Sequence, residues 1–175
     1  DYALNAGTKA GNYDITKTLG TLTVTSRGAT QEITVEANSA TVKYDGSEQG
    51  VSGLKQTTFQ VGDLTYTVTG LSASASGTDA GEYAANVTGT PVVKDAAGND
   101  VTSEFKVNTV NGKLTVDKRK VTLTSATDSK VYDGTELTSK DVAVSGDGFA
   151  DGEGASYDVT GTRTAPGSSD NTFDY

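Results

Sequence analysis

Two acidic loops hold the side chains best suited to chemistry. Asp147, Asp151 and Glu153 crowd one glycine-rich stretch, and Asp95, Asn99 and Asp100 crowd another. Hard oxygen ligands on a flexible loop are what Ca²⁺ takes, but neither stretch has the EF-hand spacing with its closing bidentate Glu. Asp, Asn and Gly are also the ordinary residues of turns. A solvated turn is therefore expected at both places and no cofactor is expected, with calcium at Asp147, Asp151 and Glu153 as the candidate metal site. Paired carboxylates also serve glycosidases, where two acids flank one bond at about 5–9.5 Å. Aromatic residues make up 7% of the chain and fall one or two to a run, so no aromatic-lined cleft is expected. A third chemistry is an amide cross-link between Lys and Asn or Asp, promoted by a buried acid. Lys43, Lys113, Asn108 and Asn111 lie beside strand-like runs, but no spacing singles out a pair. Asn86-Val87-Thr88 fits the glycosylation sequon and reads as a chance match in a Thr-rich chain.

The residue types that are missing remove more chemistry than these add. The 175 residues include no Cys, His, Met or Trp. Thiolate nucleophiles, Ser-His-Asp triads, Cys/His zinc sites, haem ligation and disulfides all fall away, and the chain is expected not to be an enzyme. The net charge of -9 and the lack of any long basic run argue against nucleic acid, whose binders gather Lys and Arg on one face. No stretch approaches the roughly 18 consecutive apolar residues of a membrane span, so no membrane contact is expected from this segment. Any export or anchoring signal is expected outside these residues.

The elements that must position these groups are strands. Apolar residues alternate with Thr, Lys or Glu at Leu22/Val24, Ile33/Val35, Leu64-Tyr66-Val68, Phe105/Val107, Leu114/Val116 and Val121/Leu123. Period two over four to seven residues marks half-buried strands. Turn clusters such as Ala97-Gly98-Asn99-Asp100 and Gly146-Asp147-Gly148 punctuate them, and no window carries a helical stripe. The expected class is all-β, with antiparallel strands joined by short turns.

Internal repeats organise the chain. Tyr44-Asp45-Gly46 recurs as Tyr132-Asp133-Gly134, and Ile33/Val35 as Val121/Leu123, each 88 residues on. Tyr66 to Gly70 recurs as Tyr157 to Gly161, 91 residues on, and Gly77 to Tyr83 as Gly167 to Phe173, 90 on. Tyr13-Asp14-Ile15 through Gly20-Thr21-Leu22-Thr23-Val24 recurs 92 residues on, as Phe105-Lys106-Val107 through Gly112-Lys113-Leu114-Thr115-Val116. The order implies a complete repeat at 27–118, the C-terminal part of a preceding repeat at 1–26, and the N-terminal part of a following one at 119–175. Asp174-Tyr175 also repeats Asp1-Tyr2, which suggests two alternating repeat types with a period of 173 residues. The end segments are expected to complete one another within a continuous array or between molecules.

The recurrent motifs read as structural. In Tyr44-Asp45-Gly46 and Tyr132-Asp133-Gly134, Asp-Gly suits a tight hairpin, with the Tyr ring on the core. Asp79-Ala80-Gly81-Glu82-Tyr83 has the form of a tyrosine corner, in which a hydroxyl ties a late strand to the loop before it. Ala10-Gly11-Asn12-Tyr13 is a looser second candidate, and Phe173 lacks the hydroxyl. The stretch between Val87 and Phe105 is longer than its match before Tyr13, and its residues 89–103 form the candidate binding surface.

These residues carry a family resemblance. Lys130-Val131-Tyr132-Asp133-Gly134-Thr135-Glu136-Leu137-Thr138 with Val144-Ser145-Gly146-Asp147-Gly148-Phe149 resembles the tandem repeats of large cell-surface proteins of Gram-positive gut bacteria. Val93 to Thr102 followed by Gly112-Lys113-Leu114-Thr115-Val116 is similar to the same group. These are MBG-type and related immunoglobulin-like adhesin repeats. The resemblance implies tandem β-sandwiches in a head-to-tail rod or filament, secreted and cell-wall anchored, with neighbouring copies of the repeat as partners. It also implies an alternative in which the repeats bind host immunoglobulin, as superantigens do, or mucin glycans. A carbohydrate-active enzyme's accessory module is a more distant reading. Short joints at Val24 to Ile33 and Val116 to Val121 fit a semi-rigid rod.

Overall fold

The computed structural model describes residues 3–23 and 28–175. Val24, the repeat boundary at Arg27 and the Asp1-Tyr2 match lie outside the described residues. The described chain is nearly all β and is divided among several small sheets. Residues 28–118 contribute β1 (Gln31–Glu36), β2 (Ala40–Lys43), β3 (Gln49–Ser52), β4 (Thr58–Val61), β5 (Leu64–Ser72), β6 (Ser74–Gly77), β7 (Gly81–Ala85), β8 (Thr88–Lys94), β9 (Phe105–Val110) and β10 (Gly112–Asp117). Residues 119–175 contribute β11 (Val121–Ser125), β12 (Val142–Gly146), β13 (Asp158–Val159) and β14 (Phe173–Asp174). Single 3₁₀ turns occupy Ala10–Asn12 and Thr102–Glu104.

The pairing departs from the all-antiparallel expectation. β1 runs parallel to β9, from Gln31↔Phe105 to Glu36↔Val110, and β2 runs parallel to β10 up to Lys43↔Asp117. Two extended runs, each with one break, thus lie side by side in the same direction. Parallel neighbours need a long crossover, and the whole of β3–β8 supplies it. The other ladders are antiparallel: β4–β5–β8, β3–β6, β7 on the free edge of β10, β11–β12 and β13–β14.

The period-two pattern decides what is buried. Ile33, Val35, Tyr66, Val68, Val93 and Phe105 form one apolar cluster, with the Tyr66 and Phe105 rings 4.7 Å apart at 60°. Tilted ring pairs at that spacing contribute about 0.5–1.5 kcal/mol beyond area burial. Leu114, Val116 and Ala85 bury on the sheet of β2, β10 and β7.

Two expectations are corrected by this arrangement. The expected strand at Leu22 is absent: residues 3–23 hold no strand, and Leu22 is 100% exposed. Alternation does not make a strand where no neighbouring chain takes up its backbone groups. Ala10-Gly11-Asn12 is a 3₁₀ turn with Tyr13 exposed rather than a tyrosine corner. The longer stretch after Val87 opens with β8, which pairs with β5 and buries Val93, and the rest of 89–103 is a largely exposed turn.

Candidate functional site

Four of the residues singled out from the sequence, Lys43, Tyr44, Asp147 and Glu153, meet at the junction between 28–118 and 119–175. Tyr44 follows β2, and its hydroxyl donates to Glu153 Oε1. Lys43 Nζ lies 2.5 Å from Asp147 Oδ1, and the Lys120 amide donates to the other Asp147 oxygen at 2.8 Å. Arg119 sits between them. Its Nε donates to the Gly148 carbonyl at 2.7 Å, one terminal nitrogen to Asp147 O, and the other to Tyr44 O at 3.3 Å. One guanidinium therefore holds carbonyls from both sides of the junction, a task for which its planar fork of donors is suited. Ala150 is buried there, 3.6 Å from where a Cβ on Gly46 would stand.

A cavity of about 320 Å³ opens beside Tyr44, Asp79, Arg119, Phe149 and Glu153. The Lys120 amide, then the Lys43 ammonium, hold the Asp147 carboxyl below its ordinary range. Acceptance of its hydroxyl by Glu153 holds the Tyr44 phenol above its own. At neutral pH the cavity therefore presents a protonated Tyr44 phenol bonded to Glu153, with the Asp147 ion pair outside its lining. Arg119 was not singled out by motif reasoning. The signal that would have found it is Lys118-Arg119-Lys120, three cations in an acidic chain at the point where one strand run ends and the next begins.

The metal candidate comes apart at the same place. Asp147 turns to Lys43 and Lys120 while Glu153 turns to Tyr44, and among the described residues no three acidic side chains converge to hold a metal. In the other acidic loop Asp95 caps its own turn, accepting from the Ala97 and Asn99 amides and the Asn99 side chain. Asp100 does the same for Thr102. Those bonds keep both carboxyls below their ordinary range.

The Tyr-Asp-Gly motifs are corners rather than hairpins, because β2 and β3 pair with different strands. Asp45 accepts the Ser47 amide at 2.8 Å, with Gly46 at φ 85° completing the turn. Asp133 likewise accepts the Thr135 amide at 2.9 Å, with Gly134 at φ 77°. The Tyr ring packs only once: Tyr44 is half-buried at the junction, whereas Tyr132 is 62% exposed. Tyr83 does make the corner bond, its hydroxyl donating to Asp79 O at 2.8 Å. Phe173 is not its counterpart. Val159↔Phe173 and Asp158↔Asp174 repeat Val68↔Val93 and Thr67↔Lys94, so Phe173 stands where Val93 stands.

The cross-link candidates are ordinary surface pairs. Lys43 meets Asp147, Lys113 meets Glu82, the Asn111 side chain caps the Val87 amide, and Asn108 shares Glu32 with Lys106. Glu32 is held below its ordinary range, first by its hydrogen bond from Lys106, and is therefore an ionised carboxylate in water rather than a buried proton carrier. No protein family, curated protein or solved structure matches the chain.

Proposed function

We propose that the chain is a non-catalytic segment of a tandem-repeat stalk, in which immunoglobulin-like sandwiches follow one another head to tail on the surface of a Gram-positive bacterium. The junction is the observation that carries this reading. A connector of Lys118-Arg119-Lys120 between β10 and β11 is too short for a flexible linker, and Arg119 clamps carbonyls on both sides of it. A stalk needs such joints, since its reach depends on each unit holding its angle to the next. Net charges of 0, -4 and -5 on 1–26, 27–118 and 119–175 keep neighbouring stalks apart.

Solution scattering tests the reading. The wild-type chain should give an elongated profile with a narrow spread of inter-unit angles. Arg119→Ala should broaden that spread while leaving β-sheet circular dichroism unchanged. A compact profile for the wild type would overturn the rod. Direct capture of host immunoglobulin or mucin by the repeats is the alternative. Residues 89–103, an edge strand followed by an exposed turn, are the place to test it by pull-down from serum or mucus.

A further inference from the structure

Among the described residues, nothing in 119–175 fills the place that β9 and β10 fill in residues 28–118. The strands correspond through the 88-residue offset: Ser125↔Val142 repeats the bridge Ala37↔Leu54. β12 therefore lies on the edge of β11 that faces away from the β9 position, and among the described residues nothing pairs with the other edge. Burial reports the same gap. Ile33 and Val35 are 7% and 0% exposed, whereas their matches Val121 and Leu123 are only half-buried. Where β10 lies against β2 and β3 in the first unit, the second has a groove of about 650 Å³ along Ala126, Ser129, Leu137, Arg163 and Asn171. In it the Arg163 Nε is buried without an acceptor. An edge of unpaired backbone groups beside such a groove is a template for another strand.

The chain carries the matching strand at its other end. Tyr13–Thr23 repeats Phe105–Thr115, and its apolar residues Tyr13, Ile15, Leu19 and Leu22 are all exposed. Leu22 is 100% exposed where Leu114, its match, is 0% exposed. Gln31↔Phe105 opens the parallel ladder and Lys43↔Asp117 closes it next to the junction, so this segment and the open edge of β11 lie at opposite ends of residues 28–118. That placement keeps residues 13–23 from the β11 edge of their own copy.

We infer that residues 13–23 of one copy enter the open edge and groove of residues 119–175 of the next, completing its sheets in the register β9 and β10 use. Transferring that register sets Val121 against Ile15 and Lys120 against Asp14. The second pair restores, with signs reversed, the Glu32–Lys106 ion pair of the first unit. Leu22 takes the place of Leu114, and Gly20 that of Gly112. A Cβ on Gly112 would run into the Asn38 carbonyl, so only glycine fits there, whereas a Cβ on Gly20 meets nothing in the free chain. The inference rests on the tandem-repeat reading above but not on a bacterial surface.

Sedimentation of the full chain over a concentration series, with and without a synthetic peptide of residues 9–26, tests it. Wild type should form concentration-dependent head-to-tail species, and saturating peptide should return them to monomer size with one peptide bound. Gly20→Val and Leu22→Asp chains should stay monomeric with unchanged melting, and a Gly20→Val peptide should lose the capping effect. A wild-type chain that stays monomeric and binds no peptide overturns the inference while leaving the rod intact. So do variants that assemble as wild type does.

Discussion

At the scale of single residues, most polar side chains close local turns or pair across strands in water. The Lys55–Glu36, Lys106–Glu32 and Lys113–Glu82 pairs are solvent-exposed, and screening by water leaves such pairs little net effect on stability. The Tyr83 hydroxyl differs because it ties β7 to the carbonyl at the start of its own loop. Tyr83→Phe should lower stability by about 1 kcal/mol, the net worth of one hydrogen bond, in urea unfolding. Tyr132→Phe, at an exposed ring that ties nothing, should leave the urea midpoint unchanged. This bond was legible from Asp-x-Gly-x-Tyr because the motif is local. The partner of Tyr44 was not, since Glu153 lies 109 residues away and only the junction brings it near.

At the scale of elements, alternation located the strands that bury a face, among them β1, β5, β10 and β11. β8 was not among them, because Gly89 and Pro91 interrupt its pattern. Both are tolerated because β8 is an edge strand, paired only with β5, and the Thr69/Leu71 irregularity absorbs the break in register. The direction of the two parallel ladders was not legible. Period two reports which face is buried but not which neighbour lies alongside, and the parallel β1–β9 and β2–β10 ladders join residues more than seventy positions apart. Equal sequence patterns also took unequal structures: Leu114 and Leu22 sit in matching Gly-Lys/Thr-Leu-Thr runs, one buried and the other bare. Leu114→Ala should therefore cost about 2–5 kcal/mol in urea unfolding, as for a fully buried aliphatic side chain. Leu22→Ala should leave the stability of the monomeric chain unchanged.

At the scale of the whole molecule, two titrating contacts join residues 43–44 to 147–153 across the junction, and each holds over its own pH range. The Asp147 carboxyl lies below its ordinary range because the Lys120 amide and then Lys43 favour its charged form. A depressed acid contributes stability in full above its unfolded value, about 3.9 for Asp, and loses it as pH falls through the lower folded value. Tyr44 works in the opposite direction. Its phenol lies above its ordinary range because Glu153 accepts its hydroxyl, so its contribution is complete below about 10 and is lost as pH rises through the higher folded value. Scattering across pH should thus find the narrowest spread of inter-unit angles between these limits and a broadening at each end. Asp147→Asn should remove the pH dependence of the acid-side change and Tyr44→Phe that of the alkaline one, each leaving the other in place. Single broadenings that survive both substitutions would place the hinge elsewhere than at this junction, since the two contacts reach across it from the corner after β2 to the loop after β12.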